Sequence, residues 1–583
     1  MTRLFCERRQ VLQRVRSKEP PGARALYVRR DSEAGAVVFG TGTYMNIFHQ
    51  SRWRRLSSLS GFALEMAASA PGRVKVLGVA GTGAPVSLAA RRLGPGEGRV
   101  VFQLPPSADF VWFDWLPDDS AASLPEAAYT AEARPERPGV NLALVVTTFE
   151  RHDDLRRLVD IYMNARAESE EIAAAVSLYI VNNQPRDAQA LADLAQPGLT
   201  LINNPANTGG AGGFSRGARA AVEAGTFTHV AFMDDDIIID SETWFRTLAL
   251  LRNLAPGYAG QLLSGAMFLR EKPAYCHTMS EAIDSRGYYL NVSGQAALDS
   301  LGATLEILAD SGPGGLRRPA EAPAARRPYA AWWYCVLPVD CFKSFGYPLP
   351  VLFRGDDQEY GLRVGRKILT LNGICVWHTD FKNKNSDLRN YLEARNHAIF
   401  VTLHFRRWRW ALLSIFAYRL ANFLAANDYS SAAVVIQALR DYRNFHQRRE
   451  GSVPEAETKL QVCRALFPND LADAARVGAP RSITGLSRKK ALDVIGVLAA
   501  LGGSLIPGAF FRTAPVMASL SQIDGKFPAR YVAYPSSPGI KTFNRRRAFL
   551  LSLKGLAALA GFFLPGRLFS KLKGFAATYG GGR

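Results

Sequence analysis

From Asn141 to Met233 the chain alternates short apolar runs with helical patterns, and that alternation leaves few folds open. Residues 141–147 (NLALVVT) form a continuous apolar run, as a strand does when both faces of its sheet are covered. Residues 154–165 place Leu155, Leu158, Val159 and Tyr162 at the i, i+3, i+4, i+7 spacing of a helix. Further strands are expected over 177–181, 200–202 and 228–233, with a helix over 216–224. Strands alternating with helices imply a parallel sheet joined by crossover helices. Three of the strands run into polar clusters: Asn182-Asn183, Asn203-Asn204 and Asp234-Asp235-Asp236. Open α/β sheets bind ligands at those carboxyl ends.

The flanks differ. Residues 1–137 are rich in Gly, Pro and β-formers, with short strands expected over 36–39, 74–79, 100–104 and 110–113. Turns such as Gly94-Pro95-Gly96 separate them, which suggests a β-sandwich or jelly-roll-like unit. Pro135 to Gly139 reads as a linker, and the Ala- and Arg-rich stretch 319–328 as a mobile loop. A helix is expected from about Leu388 to Phe405, and most of the remainder looks helical. The expected division is therefore a sandwich over 1–137, a catalytic α/β unit over 138–405 and a helical basic unit over 406–583.

Composition locates the charge. With 71 Lys+Arg against 51 Asp+Glu the chain carries a formal +20, but residues 481–583 hold 16 basic and 2 acidic residues and so +14 of it. This tail contains two apolar runs, 494–511 and 548–565, preceded by Arg488-Lys489-Lys490 and Arg545-Arg546-Arg547. Glycines, Pro507 and Lys554 make the runs poor spanning helices. Basic clusters beside apolar helices suit segments lying on an anionic bilayer surface; buried helices are the alternative. The first ten residues carry no apolar core of a secretory signal. The six scattered cysteines, none in C-x-x-C, suit a reducing cytoplasm.

Five constellations can carry chemistry. Asp234-Asp235-Asp236 ends a buried strand; side chains alternate along an extended chain, so Asp234 and Asp236 can share one hard cation while Asp235 faces elsewhere. Four glycines in Asn207 to Arg216 open a helix, where backbone N–H groups can approach a phosphate and Arg216 can pair with a diphosphate. Phe353 to Gly361 gathers Asp356, Asp357 and Glu359, and one carboxylate could serve as a general base toward a sugar hydroxyl. His378 ends an apolar stretch; it completes a metal shell or is structural, and the residues alone leave both open. Trp332-Trp333 can stack on sugar rings or fill a core.

In this order these residues resemble the inverting glycosyltransferases of family 2, which have the GT-A fold, and more narrowly the bacterial galactofuranosyltransferases that extend cell-surface galactan. The likeness lies in Thr147 to Arg151, in Asn207 with Gly209 to Arg216, and in Met233 to Ile237. It continues in Trp332-Trp333, Asp356 to Arg363 and Trp377-His378, with Thr43 to Phe48 in the N-terminal part. Glu150, Arg354-Gly355 and Glu359 depart from that group's Asn, Lys-Trp and Asp; the last two changes flank the acceptor site.

The resemblance implies roles. Asp234, Asp236 and His378 would hold Mn2+ or Mg2+ on the donor diphosphate. Thr147, Arg151, Asn183, Asn207, Gly210 and Asp235 would face the nucleotide sugar, and Arg216 its phosphates; His277 and Glu281 would reach the donor sugar. Asp357 would be the general base and Asp356 would hold the acceptor, with Trp332, Trp333 and Glu359 at the acceptor site. The implied donor is UDP-galactofuranose and the acceptor a glycan or lipid-linked glycan, on the cytoplasmic face of the inner membrane; homo-oligomerisation stays open. Competing readings are a rhamnosyl or hexopyranosyl donor, a non-catalytic carbohydrate-binding protein, and nucleic-acid binding through the tail. The intact acidic and histidine set argues against the second, and no recognised nucleic-acid motif accompanies the charge.

Overall fold

The computed structural model describes residues 9–16, 20, 22–33, 36–94, 99–132, 139–284, 287, 289–310, 327–380, 386–425, 428–445, 453–468, 471–472, 540–541, 545–563 and 568–579. Outside them lie Cys6, most of the expected linker at 135–139, most of the loop expected at 319–328, and the apolar run 494–511 with its basic cluster at 488–490.

The expected alternation is present. Strand Leu142–Thr148 pairs in parallel with Val176–Asn182 on one side and His229–Asp234 on the other, and Leu199–Asn203 continues the sheet. Alternate side chains of the central strand divide between two cores. Leu142, Leu144 and Val146 share one with Leu155, Leu158 and Tyr162 of helix His152–Glu168. Ala143 and Val145 share the other with Phe214, Ala218 and Ala221 of helix Gly209–Glu223. Burial on both faces is why this strand reads as an unbroken apolar run. The seven-stranded sheet is mixed, because Tyr334–Pro338 runs antiparallel beside His229–Asp234. That insertion brings Trp332-Trp333 to the same sheet edge as the acidic strand end.

The N-terminal part forms two antiparallel sheets. One orders Arg9–Arg14, Glu126–Glu132, Ala63–Ala67 and Val100–Gln103; the other is built on Phe110–Pro117 between Ala36–Gly40 and Gly72–Val79. Leu12, Leu64 and Tyr129 from the first and Val74, Val111 and Trp115 from the second share one core, as a sandwich requires. The Thr43 to Phe48 motif lies at the seam with the α/β unit. Asn372 Nδ2 donates to the carbonyls of Tyr44 (3.0 Å) and Ile47 (2.8 Å), and Arg246 Nη2 to that of Met45 (2.7 Å).

Helices dominate after Ser386. Asp387–His404, Trp408–Ala425, Tyr429–Arg443, Val453–Leu466 and Arg545–Ala560 pack on one another. The α/β class with an N-terminal sandwich and a mostly helical C-terminal region is thus what the chain adopts. Among the described residues no helix is long and apolar enough to cross a membrane. The second apolar run is two-sided: Ala548, Leu551 and Leu559 are buried, whereas Phe549, Leu550, Leu553 and Leu556 are exposed. The five described cysteines are buried and form no disulfide.

Candidate active site

The strand ends open into a cavity of about 750 Å³. Thr147, Arg151, Asn183, Asn207, Gly210 and the three aspartates line it, with His277, Glu281 and His378, and so do Trp332, Trp333, Asp356 and Asp357. All expected site residues reach it except Arg216 and Glu359.

Strand pairing assembles the metal-type group. Ile238 pairs with Trp377 and Ile239 with Val376, so the turn after Asp234 lies beside the end of strand Cys375–His378. Asp234, Asp236 and His378 each offer a ligand atom, all within 4.8 Å of one another. His378 Nε2 is 3.2 Å from Asp236 Oδ1 and 3.6 Å from Asp234 Oδ2. His378 Nδ1 donates to the Thr379 carbonyl at 2.6 Å, which orients the ring and leaves Nε2 as the nitrogen facing the carboxylates. Two carboxylates and one imidazole make a donor set that fits Mn2+ or Mg2+. The grouping is the expected one, but its cause differs: the strand ends at Asp234 and Asp236 sits in a turn, so the strand register, not extended-chain alternation, brings the three together.

Asp235 lines the same cavity but is not one of that group. It lies 3.8 Å from Arg151 Nη1, which also pairs with Asp236. Burial pushes Asp235 up to about 7 although Arg151 opposes the shift.

The glycine-rich segment has two functions. Helix Gly209–Glu223 starts at the cavity, where Gly209 and Gly210 line the wall. A Cβ on Gly213 would stand 2.0 Å from Thr147 Oγ1, and one on Gly217 would stand 2.4 Å from Val145 Cγ1. Those glycines let the helix sit against the sheet, whereas at Gly210 a Cβ would meet nothing nearer than Asp356 Oδ2 at 3.7 Å. Only part of the run, then, suits backbone approach to a phosphate. Because the helix begins at Gly209, Arg216 falls in its second turn, exposed and away from the cavity.

Asn183 lines the cavity, yet its amide is engaged internally. It donates to Thr147 Oγ1 (2.8 Å) and the Gly209 carbonyl (3.1 Å), and its oxygen accepts from Asn204 Nδ2 (2.7 Å) and Thr208 Oγ1 (3.1 Å). It ties three strand ends to the helix start. Asn207 Oδ1 accepts from the Gly209 N–H at 2.9 Å and shapes the same turn.

Asp356 and Asp357 open helix Asp356–Val364. Burial raises the carboxyls of both above the ordinary range, and the Asp234 charge adds to it. Trp332 and Trp333 are buried for the most part. Trp332 packs edge-on against Phe214 and Phe232 at 5.3 and 4.8 Å, and Trp333 Nε1 donates to the Gly265 carbonyl at 2.9 Å. Each therefore anchors in a core while also lining the cavity. Glu281 accepts from Tyr289 Oη. Glu359 turns away from the cavity: burial would raise its carboxyl, but Arg363 at 2.9 Å and His404 at 3.2 Å hold it down to about 2. It braces the helix.

Tyr289, Tyr329, Arg354, Arg389, Glu393 and Glu457 also line the cavity. Arg354 belongs to the segment that the sequence already marks; the others carry little signal, because they come from segments that only the tertiary fold brings to the strand ends.

No protein-family model matches the chain. The chain is 27% identical over 500 residues to galactofuranosyltransferase GlfT2 of Mycolicibacterium smegmatis, covering 82% of this chain and 74% of the relative. It is 27% identical over 450 residues to galactofuranosyltransferase GlfT2 of Mycobacterium tuberculosis, covering 73% and 68%. Among solved structures it is similar to TarS of S. aureus, at 13% identity and a TM-score of 0.31 over 56% of this chain and 87% of that one. Mannosyltransferase PcManGT from Pyrobaculum calidifontis, in complex with GDP-Man and Mn2+, gives 12% and 0.30 over 57% and 81%. The structural likenesses are too distant to bear on function. The sequence relatives agree with the resemblance carried by the motifs.

Proposed function

We propose that this glycosyltransferase moves galactofuranose from UDP-galactofuranose, with inversion, onto a glycan or lipid-linked glycan acceptor in cell-surface polysaccharide synthesis. The observation that carries the reading is the meeting of two carboxylate sets in one cavity, Asp234 and Asp236 with His378, and Asp356 with Asp357. The likeness of most of the chain to galactofuranosyltransferases supports the choice of sugar.

In this reading Asp234, Asp236 and His378 hold Mn2+ or Mg2+, which when bound supplies positive charge beside the leaving diphosphate. Thr147, Arg151, Asn207, Gly210 and Asp235 face the nucleotide sugar; Asn183 keeps Thr147 and the Gly209 turn in place. His277 and Glu281 reach the donor sugar, and Trp332, Trp333 and Asp356 border the acceptor. Asp357 takes the proton of the acceptor hydroxyl while that oxygen bonds to the anomeric carbon. The bond from the anomeric carbon to the diphosphate breaks in the same displacement, and UDP leaves. One base and no enzyme nucleophile suffice for inversion. The exposed apolar face of Arg545–Ala560, next to Arg546 and Arg547, supports peripheral attachment to an anionic membrane surface at the cytoplasmic face. Co-sedimentation with anionic but not neutral liposomes checks that part.

A panel of nucleotide sugars with a synthetic lipid-linked acceptor, analysed by mass spectrometry, tests the function. Transfer from UDP-galactofuranose is expected. Preference for a rhamnosyl or hexopyranosyl donor would overturn the sugar, and no transfer from any donor would overturn the enzyme.

A further inference from the structure

The turn that delivers Asp356 and Asp357 to the cavity is bent in a way its residues resist. Leu352 and Arg354 have φ of 72° and 70°, followed by Gly355 at 79°. Residues with a Cβ populate this left-handed region sparsely, and they stay there only where the surroundings impose it. Two elements do so. The Ala211 N–H at the start of the glycine-rich helix donates to the Leu352 carbonyl at 2.7 Å, and a Cβ on Gly209 would stand 2.3 Å from that same oxygen. On the other side is Asn396, buried in helix Asp387–His404. Its Nδ2 lies 3.0 Å from the Val351 carbonyl, 2.9 Å from that of Phe353 and 2.7 Å from that of Arg354. Arg395 orients the amide: its Nε donates to Asn396 Oδ1 at 3.0 Å, and its Nη2 to the Val351 carbonyl at 2.8 Å.

We propose that Asn396 is a positioning residue for this loop: one buried amide draws the carbonyls of Val351, Phe353 and Arg354 to a single point, holds the left-handed turn, and so sets where the Asp357 carboxylate meets the acceptor hydroxyl. The proposal rests on the reading of Asp357 as the base. Asn396 lies behind the turn and is not part of the cavity wall, so its effect passes through the backbone. The strand ends of the donor half, Leu142–Thr148 and His229–Asp234, hang on different elements; only the start of the glycine-rich helix touches the turn, and Ala211 there keeps its own bond to the Leu352 carbonyl, so UDP binding should change little.

The test uses the full chain with Asn396→Ala, and Asn396→Asp as a variant of unchanged volume that lacks the N–H donors. Three quantities are measured: kcat for sugar transfer, UDP affinity in Mn2+ by calorimetry, and amide hydrogen exchange by mass spectrometry. The expected result is a kcat about 100-fold lower, as a misplacement near 1 Å can cause, with UDP affinity within about threefold. Exchange should quicken in peptides covering 351–358 while those covering 142–148 stay unchanged. Unchanged exchange at 351–358 overturns the clamp, whatever the chemistry of the enzyme. Faster exchange with kcat within about threefold of the parent overturns the positioning role. A parallel fall of kcat, UDP affinity and thermal midpoint makes Asn396 merely structural. Asp357→Ala, assayed alongside, shows separately whether the base assignment fails.

Discussion

Two groups of buried acids in this molecule are treated in opposite ways. At the seam between the sandwich and the α/β unit, Glu242 meets Arg14 Nε at 2.7 Å and Arg246 Nε at 2.9 Å. Beside it, Asp240 meets Arg16 at 3.3 Å and accepts from Tyr27 Oη at 2.9 Å. Burial alone would raise the Glu242 carboxyl, yet the arginines hold it below its ordinary value. At the cavity, Asp234, Asp235, Asp236, Asp356 and Asp357 gather, and the ion pairs from Arg151 reach Asp235 and Asp236. There burial wins, and Asp235, Asp356 and Asp357 are all raised. The chain can neutralise buried acids where they only join elements. Where it leaves them raised, a cation or a substrate proton completes the balance, which is the usual mark of a working site.

The contrast can be broken by substitution. The largest effect is expected at Asp357→Asn, which should lower kcat by about 10³-fold or more, leave UDP binding intact and keep or raise the thermal midpoint. A midpoint that collapses would place Asp357 with the structural acids. Glu242→Ala should do the reverse: chemical denaturation should show a loss of about 3–5 kcal/mol, because Arg14 and Arg246 remain buried without their partner. Native protein from that variant should keep its affinity for UDP.

The two groups should also titrate in opposite senses. Carboxyls raised on folding favour the folded state at low pH, and that contribution fades as pH rises through their folded values. Glu242 and Glu359, lowered on folding, contribute fully above the ordinary glutamate range, and their contribution is lost as pH falls from there through their lowered folded values. Relative to the parent, Asp357→Asn should therefore gain stability as pH rises, and Glu242→Ala should lose it. The acid limb of kcat/KM should lie above the ordinary carboxylate range, since Asp357 must be ionised to act. Stability curves for both variants that run parallel to the parent across pH would dissolve the distinction.

The smallest effect is expected at Glu359→Gln. Two residues from the proposed base, Glu359 nonetheless belongs with the neutralised acids. Its loss should cost about 1–3 kcal/mol of stability with acceptor KM within about threefold. A large rise in acceptor KM would return it to the acceptor site.

That residue shows where sequence reading runs out. The strand ends were legible because burial on both faces and helical spacing leave periodic traces, and the clusters that follow mark the cavity. Asp234, Asp236 and His378 were recoverable because residue chemistry and order survive in the sequence, although the register that joins them does not. Arg216 was misplaced because a helix start cannot be fixed to within a turn when glycines occupy it. Glu359 looked like an acceptor ligand because its partner His404 lies 45 positions away. Asn396 gave no signal, since its function is defined by three carbonyls brought to it by the fold.

The cavity acids await completion by a cation and a nucleotide. Calorimetric titration of UDP into the intact chain, with Mn2+ and then with chelator, for the parent and for Asp236→Ala, tests it most directly. UDP should bind with Mn2+, lose about tenfold or more in affinity on chelation, and show no metal dependence in the variant. Equal affinity with and without Mn2+ in the parent would contradict it.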